Sequence, residues 1–170
     1  MAQDYDKIFI KGFLELSKEK GYAKISIVDL TEHCGTSRQT FYYYYKSIDD
    51  LITKSVNSEI EAICNSIDEN STWYESAIKI IKVLEKYQDV IKSALQSKHS
   101  LKAIDLIDTN ADKFIRAFVK AKHTENKFTE FLFTCCRYTF TGLIISEMKN
   151  EKPDLMNVIN NIDEKLINTD

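Results

Sequence analysis

Five consecutive residues, Thr36-Ser37-Arg38-Gln39-Thr40, combine a cation, a primary amide and three hydroxyl groups. An arginine can bind both acceptors on the edge of guanine, and a glutamine can pair in the same way with adenine. Serine and threonine hydroxyls and the amides at a helix N-terminus suit phosphate oxygens. A segment that presents these groups together has the chemistry to read a nucleic-acid sequence.

The residues around this run predict two short helices that would hold it. Ser26 and Asp29 have capping-box spacing, so a helix should begin at Ser26, and Gly35 should end it. Ser37 is a second N-cap candidate, only two residues after Gly35. Four apolar side chains would pack the two helices together: Ile27, Leu30, Cys34 and Phe41. Two short helices joined by a turn with glycine are typical of a helix-turn-helix, whose second helix enters the major groove.

The rest of the chain also has helical periodicity, and only four Gly and one Pro interrupt its 170 residues. Apolar residues recur at helical spacing in segments that should be helices. These are 4–20, 48–69, 73–87, 89–97, 101–122, 127–150 and 153–168. We therefore expect an all-α protein with a helix-turn-helix domain at 1–48 and a helical domain at 49–170, whose first helix, 49–69, connects the two.

The charge of the chain does not itself favour a nucleic-acid partner. The net charge is −3, and residues 1–55 carry eight Lys or Arg against eight Asp or Glu. Within 36–48, however, Arg38 and Lys46 have no acidic neighbour, which leaves a local cationic patch. The DNA-binding hypothesis therefore depends on the motif, and a helical adaptor that binds only protein is the alternative that the neutral charge favours.

No pattern of catalytic or metal-binding residues is found. Cys34, Cys64, Cys135 and Cys136 lack C-x-x-C spacing, and the three histidines are scattered, so we expect reduced thiols, no metal and no cofactor. No nucleophile elbow, phosphate loop or carboxylate pair is present, so an enzyme is not expected. The absence of a signal-peptide pattern and of 18 consecutive apolar residues predicts a cytoplasmic protein.

The N-terminal motifs resemble those of the TetR family of bacterial regulators. The resemblance is carried by Ser26-x-x-Asp29-Leu30, Gly35-Thr-Ser37, Thr40-Phe41-Tyr42 and Leu51, and it covers about 50 residues. It implies a homodimeric repressor with an N-terminal DNA-binding domain and a C-terminal helical domain that binds a small inducer and dimerises. The run Arg-Gln-Thr-Phe-Tyr is similar to a branch of the family that includes regulators of dihydroxyacetone kinase genes, although five residues do not assign a regulon.

The same resemblance suggests roles for individual residues. Thr40 and Tyr42 match positions of phosphate-binding hydroxyls, and Arg38 and Gln39 match the variable base-reading positions. The predicted DNA contacts are Ser26, Thr36, Ser37, Arg38, Gln39, Thr40, Tyr42, Tyr43 and Lys46. The chain departs from the family at Ile48, where a lysine is usual, and we hypothesise that Lys46 supplies the missing phosphate contact.

Aromatic side chains on the C-terminal helices are candidates for an apolar ligand pocket, which the family resemblance implies. The candidates are Trp73, Tyr87, Phe114, Phe118, Phe131 and Tyr138. Ordinary core packing is the competing interpretation for most of them.

The segment 127–150 is apolar on more than one side, which predicts a partner helix. Small residues form a stripe there that would let a second helix approach closely: Cys135, Thr139, Gly142 and Ser146. The last helix would add Leu155, Val158, Ile159, Ile162 and Leu166 to the same interface. We therefore predict a homodimer built by two helices from each subunit, with its two recognition helices on palindromic double-stranded operator DNA. A thick monomeric bundle that buries both faces is the alternative.

The function predicted from the sequence is a DNA-binding transcription regulator, with a repressor released by a small-molecule inducer as the first reading. An activator and the helical adaptor are the alternatives.

Overall fold

The computed structural model describes residues 4–123 and 127–149 together with 156, 157 and 159, with backbone alone for 127–130, 132 and 133. These residues form eight α-helices and one short 3-10 turn, Tyr22–Lys24, and they contain no strand. The helices are α1 (Tyr5–Lys20), α2 (Ile27–His33), α3 (Arg38–Tyr44), α4 (Ile48–Asn65), α5 (Trp73–Lys86), α6 (Gln88–Leu95), α7 (Ser100–Ala121) and α8 (Lys127–Met148). The all-α prediction is confirmed.

Side-chain oxygens cap the N-termini of the short helices as their sequences indicate. Ser26 Oγ accepts a hydrogen bond from the Asp29 amide, and the Asp29 carboxylate accepts one from the Ser26 amide, which completes the predicted capping box. At α4, Ser47 Oγ caps the Asp50 amide, but the Asp50 carboxylate accepts from the Lys46 amide at 2.8 Å. This arrangement differs from a regular capping box, because the carboxylate accepts from the amide one residue before the N-cap.

Helix α4 ends at Asn65, four residues before the end expected from its apolar stripe. The Asp68 carboxylate accepts hydrogen bonds from the Asn70 amide at 3.0 Å and from Ser71 Oγ at 2.9 Å. This local turn competes with further helix, because a short acidic side chain can replace the helical partner of a backbone amide. Most of the expected last helix, 153–168, lies outside the described residues, although 156, 157 and 159 are helical.

The three N-terminal helices share one core with α4 and α6. Its fully buried side chains are Phe9, Phe13, Leu30, Phe41 and Leu51. Val90 and Ala94 of α6 belong to the same cluster. One core therefore contains residues from both sides of residue 48, the predicted boundary between the two domains. The two-domain division at that residue stays a prediction.

A second core holds α5, α7 and α8 together. Trp73 lies at its centre, with its ring centroid 5.3–5.4 Å from those of Phe114, Phe118 and Phe140. Thr141 of α8 donates to the Asp108 carboxylate of α7 at 3.1 Å. Because Phe140, Thr141 and Ile144 are buried, they define the inner face of α8.

Gly12 allows α1 and α2 to pack closely, and Gly12→Ala should destabilise the fold. A Cβ at this position would lie 2.5 Å from Cys34 Sγ and 3.2 Å from His33 Cδ2. We expect a net loss of about 1–2 kcal/mol in the free energy of unfolding, since overpacking outweighs the gain of alanine in helix propensity. Urea denaturation followed by circular dichroism measures it. In a Cys34→Ala background most of the loss should disappear, because the closest contact is removed, and an equal loss in both backgrounds would contradict the close-contact explanation.

Candidate functional site

The turn between α2 and α3 aims the N-terminus of α3 away from the core. Gly35 adopts a φ of 61°, in the left-handed region that glycine occupies without strain. The Thr36 amide donates to the Thr31 carbonyl at 2.8 Å, which closes the turn. Ser37 Oγ then caps the Thr40 amide at 3.0 Å and starts α3. The predicted helix-turn-helix is present, with its second helix set by the Phe41 anchor.

The predicted base-reading side chains are available to a partner. Ser37, Arg38 and Gln39 are exposed, and Thr36 and Thr40 are half-buried. Within the described part of the chain, the Arg38 and Gln39 side chains have no hydrogen-bond or ion-pair partner. Ser37 Oγ and Thr40 Oγ1 are 2.9 Å apart, so these two hydroxyls hold each other in place. The N-terminus of α3 therefore presents a cation and an amide on a rigid support.

The four tyrosines at 42–45 divide between surface and core. The exposed fractions of Tyr42 and Tyr43 are 58% and 82%, whereas Tyr45 is 5% exposed. The Tyr45 hydroxyl donates to Asp6, and burial together with that carboxylate raises the pKa of Tyr45. The ring centroid of Tyr44 lies 5.5 Å from that of Tyr5, and Tyr44 stays partly exposed. The side chains of Tyr42 and Tyr43 thus lie on the outer face of α3.

Two further predicted contacts flank α3. Ser26 is exposed, but its hydroxyl is hydrogen-bonded to Asp29, whose carboxylate also pairs with Lys20 at 2.6 Å. These partners hold the pKa of Asp29 below its usual range. Lys46 is exposed and lies two residues after Tyr44, the last residue of α3. Ile48, where a lysine was expected from the family pattern, packs against the N-terminal core, so it offers no charge to a phosphate.

A cavity of about 130 Å³ lies between α4, α5, α6, α7 and α8. Most of its lining is aliphatic, and α4 contributes Ile52, Val56 and Ile60. Two lining residues are solvent-exposed, Thr53 of α4 and Lys102 of α7, which places the approach from solvent between these helices. The size and lining suit a small apolar molecule.

One side of the cavity adjoins the N-terminal unit. The Asp49 carboxylate, at the start of α4, accepts hydrogen bonds from Tyr22 and from Lys102 and lies 3.5 Å from His99. Lys102 and Tyr22 lower the pKa of Asp49 even though burial opposes them. Deeper in, the Tyr87 hydroxyl donates to Glu59 at 2.7 Å. The polar groups of this side are therefore satisfied by one another.

Only part of the predicted pocket lines this cavity. Tyr87 and Phe114 do, whereas Trp73 and Phe118 are packed within the second core. The prediction was wrong for Phe131 and Tyr138, which are exposed. Both lie on α8 opposite Phe140 and Ile144, so they cannot reach the interior. Sequence reasoning missed Asn110, a polar residue on an otherwise apolar face of α7, and that interruption was the available signal.

The small-residue stripe of α8 is on the surface. Cys135, Thr139 and Gly142 are exposed, Ser146 is half-buried, and a Cβ at Gly142 would meet nothing within 4 Å. One predicted interface residue must be corrected. Ile159 is 3% exposed and lies in the second core of its own chain, so it is not available to a partner. The predictions for Leu155, Val158, Ile162 and Leu166 lie outside the described residues.

Comparisons with known proteins agree on the class of fold. The family model described as bacterial regulatory proteins, tetR family, matches residues 10–54. The HTH-type dhaKLM operon transcriptional activator DhaS of Lactococcus lactis subsp. lactis (strain IL1403) is 24% identical over 82 residues, 48% of this chain and 44% of that protein. The chain thus matches less than half the length of this curated relative.

Two solved structures resemble the whole chain in fold. One is described as the dihydroxyacetone kinase operon activator DhaS, with a TM-score of 0.78 and 14% identity over 96% of this chain and 94% of the other. The second is the fatty acid degradation regulator FadR from Bacillus halodurans, with a TM-score of 0.60 and 15% identity over 99% and 97%.

The protein is a helix-turn-helix protein of the all-α class. Its N-terminal segment, residues 10–54, matches the model of the tetR family of bacterial regulatory proteins. Among the described residues, no helix is long and apolar enough to cross a membrane, and no group of three metal-ligating side chains comes together.

Proposed function

We propose that this chain is a sequence-specific DNA-binding transcription regulator. The observation that carries the proposal is the pair Arg38 and Gln39, which are exposed and without a partner in the described chain at the N-terminus of α3. Side chains at this position of a helix-turn-helix face the base edges of the major groove. Thr36, Ser37, Thr40, Tyr42 and Tyr43 surround them with hydroxyls suited to phosphate oxygens, and Ser26 and Lys46 flank the same surface.

The alternative to be tested is a helical adaptor with no affinity for DNA. The zero net charge of residues 1–55 would favour this alternative. Fluorescence anisotropy with the DNA upstream of the protein's own gene, against a scrambled duplex of equal length, separates the two. We expect specific binding that weakens as salt rises, because phosphate contacts release counterions. Equal, weak binding to both duplexes would favour the adaptor. The proposal includes no catalytic activity, since the tetR family consists of regulatory proteins.

We further propose that the regulator is a homodimer that uses the exposed face of α8. Phe131 and Tyr138, two large exposed aromatics, lie on the same side of this helix as Cys135 and Gly142. An apolar face with small residues at its centre suits close contact with a second helix. Two-fold symmetry would then place two copies of α3 about one DNA turn apart, or a multiple of it, on a palindromic operator.

Helix α4 is the element through which we propose that a small ligand controls DNA binding. Its side chains Ile52, Val56 and Ile60 line the cavity, while Leu51 and Ile52 pack in the core that holds α3. Lys54 of α4 also donates to the Tyr44 carbonyl at 3.1 Å. A ligand that moves α4 would therefore also move α3. A ligand that binds more tightly to one position of α4 than to another would in this way favour one position of α3, as a switch requires.

The direction of control has two candidates. Release of a repressor by an inducer is the first, and activation is the second, because the curated relative is named a transcriptional activator. A promoter–reporter fusion in cells with and without this gene decides between them. Higher reporter expression without the gene would identify a repressor, and lower expression would identify an activator.

Substitutions in α3 test the predicted DNA contacts. Arg38→Ala and Gln39→Ala should each weaken operator binding by about 1–3 kcal/mol and relax specificity at one base pair. Tyr42→Phe should weaken binding to all sequences alike, since a hydroxyl to a phosphate carries no sequence information. Anisotropy titrations against operators with single base changes measure both effects. Arg116→Ala, the same change on the surface of α7, is the control, and unchanged binding by Arg38→Ala would show that the assigned helix register is wrong.

A further inference from the structure

A buried acceptor in the lining of the cavity has no hydrogen-bond partner. Asn110, on α7, is 6% exposed and lines the cavity, and its Oδ1 atom is unpaired in the described structure. An unsatisfied buried polar group destabilises the folded state, so native proteins rarely keep one without a use. Among the described residues that line the cavity, Asn110 is the one with a buried side-chain atom that lacks a hydrogen bond.

The orientation of the Asn110 amide follows from its neighbours. Its Nδ2 atom donates to the Leu106 carbonyl at 2.8 Å and to Asn57 Oδ1 at 3.0 Å. A backbone carbonyl can only accept, so the donor group of the amide must face Leu106. Oδ1 is therefore the atom left over, and it can be satisfied only by a group that donates.

The charged groups of the lining are Asp49, His99 and Lys102, and the Asp49 carboxylate already lies within 3.5 Å of both of the others. Lys102 and Tyr22 already donate to the Asp49 carboxylate, and Tyr87 donates to Glu59. An anionic ligand would have to break the ion pair of Lys102, and a cation would lie among aliphatic side chains without a counter-charge. The lining therefore favours a neutral molecule.

The volume limits the size of that molecule. The cavity measures about 130 Å³. An apolar protein cavity of about 150 Å³ accepts benzene, whereas sites for drug-sized ligands are several times larger. Around Asn110 the lining consists of apolar side chains such as Ile107, Phe114 and Ile80.

We propose that this cavity binds a small, neutral, mostly apolar molecule of about the size of benzene that donates one hydrogen bond to Asn110 Oδ1. This ligand assignment makes the proposed ligand control more specific. Its biological role rests on the proposed function, whereas its chemistry rests on the cavity alone. Because Asn110 is hydrogen-bonded to Asn57, the same contact would reach α4, the helix that holds α3.

Phenol and toluene are the probes, since they share a ring and a size and differ in one hydroxyl donor. Isothermal titration calorimetry with the full chain gives both dissociation constants. Phenol loses more hydration than toluene on entering an apolar cavity, so the measured quantity is the ratio of the two constants. In Asn110→Leu, phenol should weaken about tenfold relative to toluene, the effect of one lost hydrogen bond to a buried acceptor.

Two matched variants separate this role from a structural one. Asn57→Leu breaks the same link between α4 and α7 but keeps Asn110 Oδ1, so the phenol-to-toluene ratio should match that of the wild type. Ala103→Leu should weaken both probes alike, because Ala103 lines the cavity and the added atoms would fill it. An unchanged ratio in Asn110→Leu, or no binding of either probe at millimolar concentration, would overturn the proposal.

A second measurement uses the wild-type protein, in case Asn110→Leu does not fold. In ¹⁵N-labelled protein, phenol should shift the side-chain amide resonance of Asn110 more than toluene does, and equal shifts would overturn the assignment. Operator anisotropy with and without phenol tests the regulator separately. Phenol binding through Asn110 with unchanged operator affinity would support this ligand site and contradict the proposed ligand control of DNA binding.

Discussion

Gly142→Leu is expected to split the proposed homodimer and abolish operator binding while the helix-turn-helix stays folded. In the single chain a Cβ at Gly142 meets nothing within 4 Å, so leucine fits the subunit itself. The change should even raise subunit stability by up to about 1 kcal/mol through helix propensity. Across a two-fold axis the added side chain enters the interface twice, and overpacking costs about 1–3 kcal/mol each time.

Sedimentation velocity at micromolar concentration and operator anisotropy measure the two consequences. Loss of the dimer should reduce DNA binding sharply, because each subunit alone contacts only half of a palindrome. Thr109→Leu, which adds the same side chain on the exposed surface of α7, should sediment and bind like the wild type. A wild-type chain that sediments as a monomer would contradict the dimer, and a Gly142→Leu dimer would place the interface elsewhere.

Phe41→Ala is expected to destabilise the helix-turn-helix unit strongly. Phe41 is fully buried, and its ring lies 5.3 Å from that of Phe9 in an edge-to-face contact. Truncating a buried phenylalanine costs about 3–5 kcal/mol, through lost burial and the cavity left behind. Since a whole domain is stable by only about 5–15 kcal/mol, this loss is a large fraction of the total free energy of unfolding.

Urea denaturation followed by circular dichroism measures the change in the free energy of unfolding. Tyr43→Ala is the matched control, because it removes an aromatic side chain two residues away on the same helix. Tyr43 is 82% exposed, so its truncation should alter stability by no more than about 0.5 kcal/mol. A similar loss in both variants would mean that α3 is not anchored through Phe41. Operator binding by Tyr43→Ala then reports on DNA contact without a folding effect.

The N-terminal unit could be predicted closely because its signals are local. Ser26, Gly35 and Ser37 mark helix ends within a few residues, and each cap forms in the structure as its spacing indicates. Capping depends on hydrogen bonds across one helical turn, so it can be judged without knowledge of the rest of the fold. The end of α4 was predicted less well. Its apolar stripe continues from Ile63 to Ile67, but the turn at Asp68 ends the helix at Asn65.

The C-terminal site was predicted only in part, since periodicity states that a face is apolar but not what covers it. The aromatics Phe131 and Phe114 look alike in the sequence, yet one is exposed on α8 and the other lines the cavity. Ile159 has the spacing of an interface residue, but the structure packs it inside its own subunit. Which of two apolar faces turns inward is decided by contacts between helices that are distant in sequence.

The sequence by itself determined that the protein is all-α, where α3 begins and which side chains stand at its N-terminus. Those properties follow from caps, turns and helical spacing, which act over one to four residues. Only the tertiary structure decided that α4 lines the cavity while holding α3, and that Asn110 keeps an unpaired acceptor there. Packing and hydrogen-bond satisfaction between remote helices depend on their relative positions, and no local pattern specifies those positions.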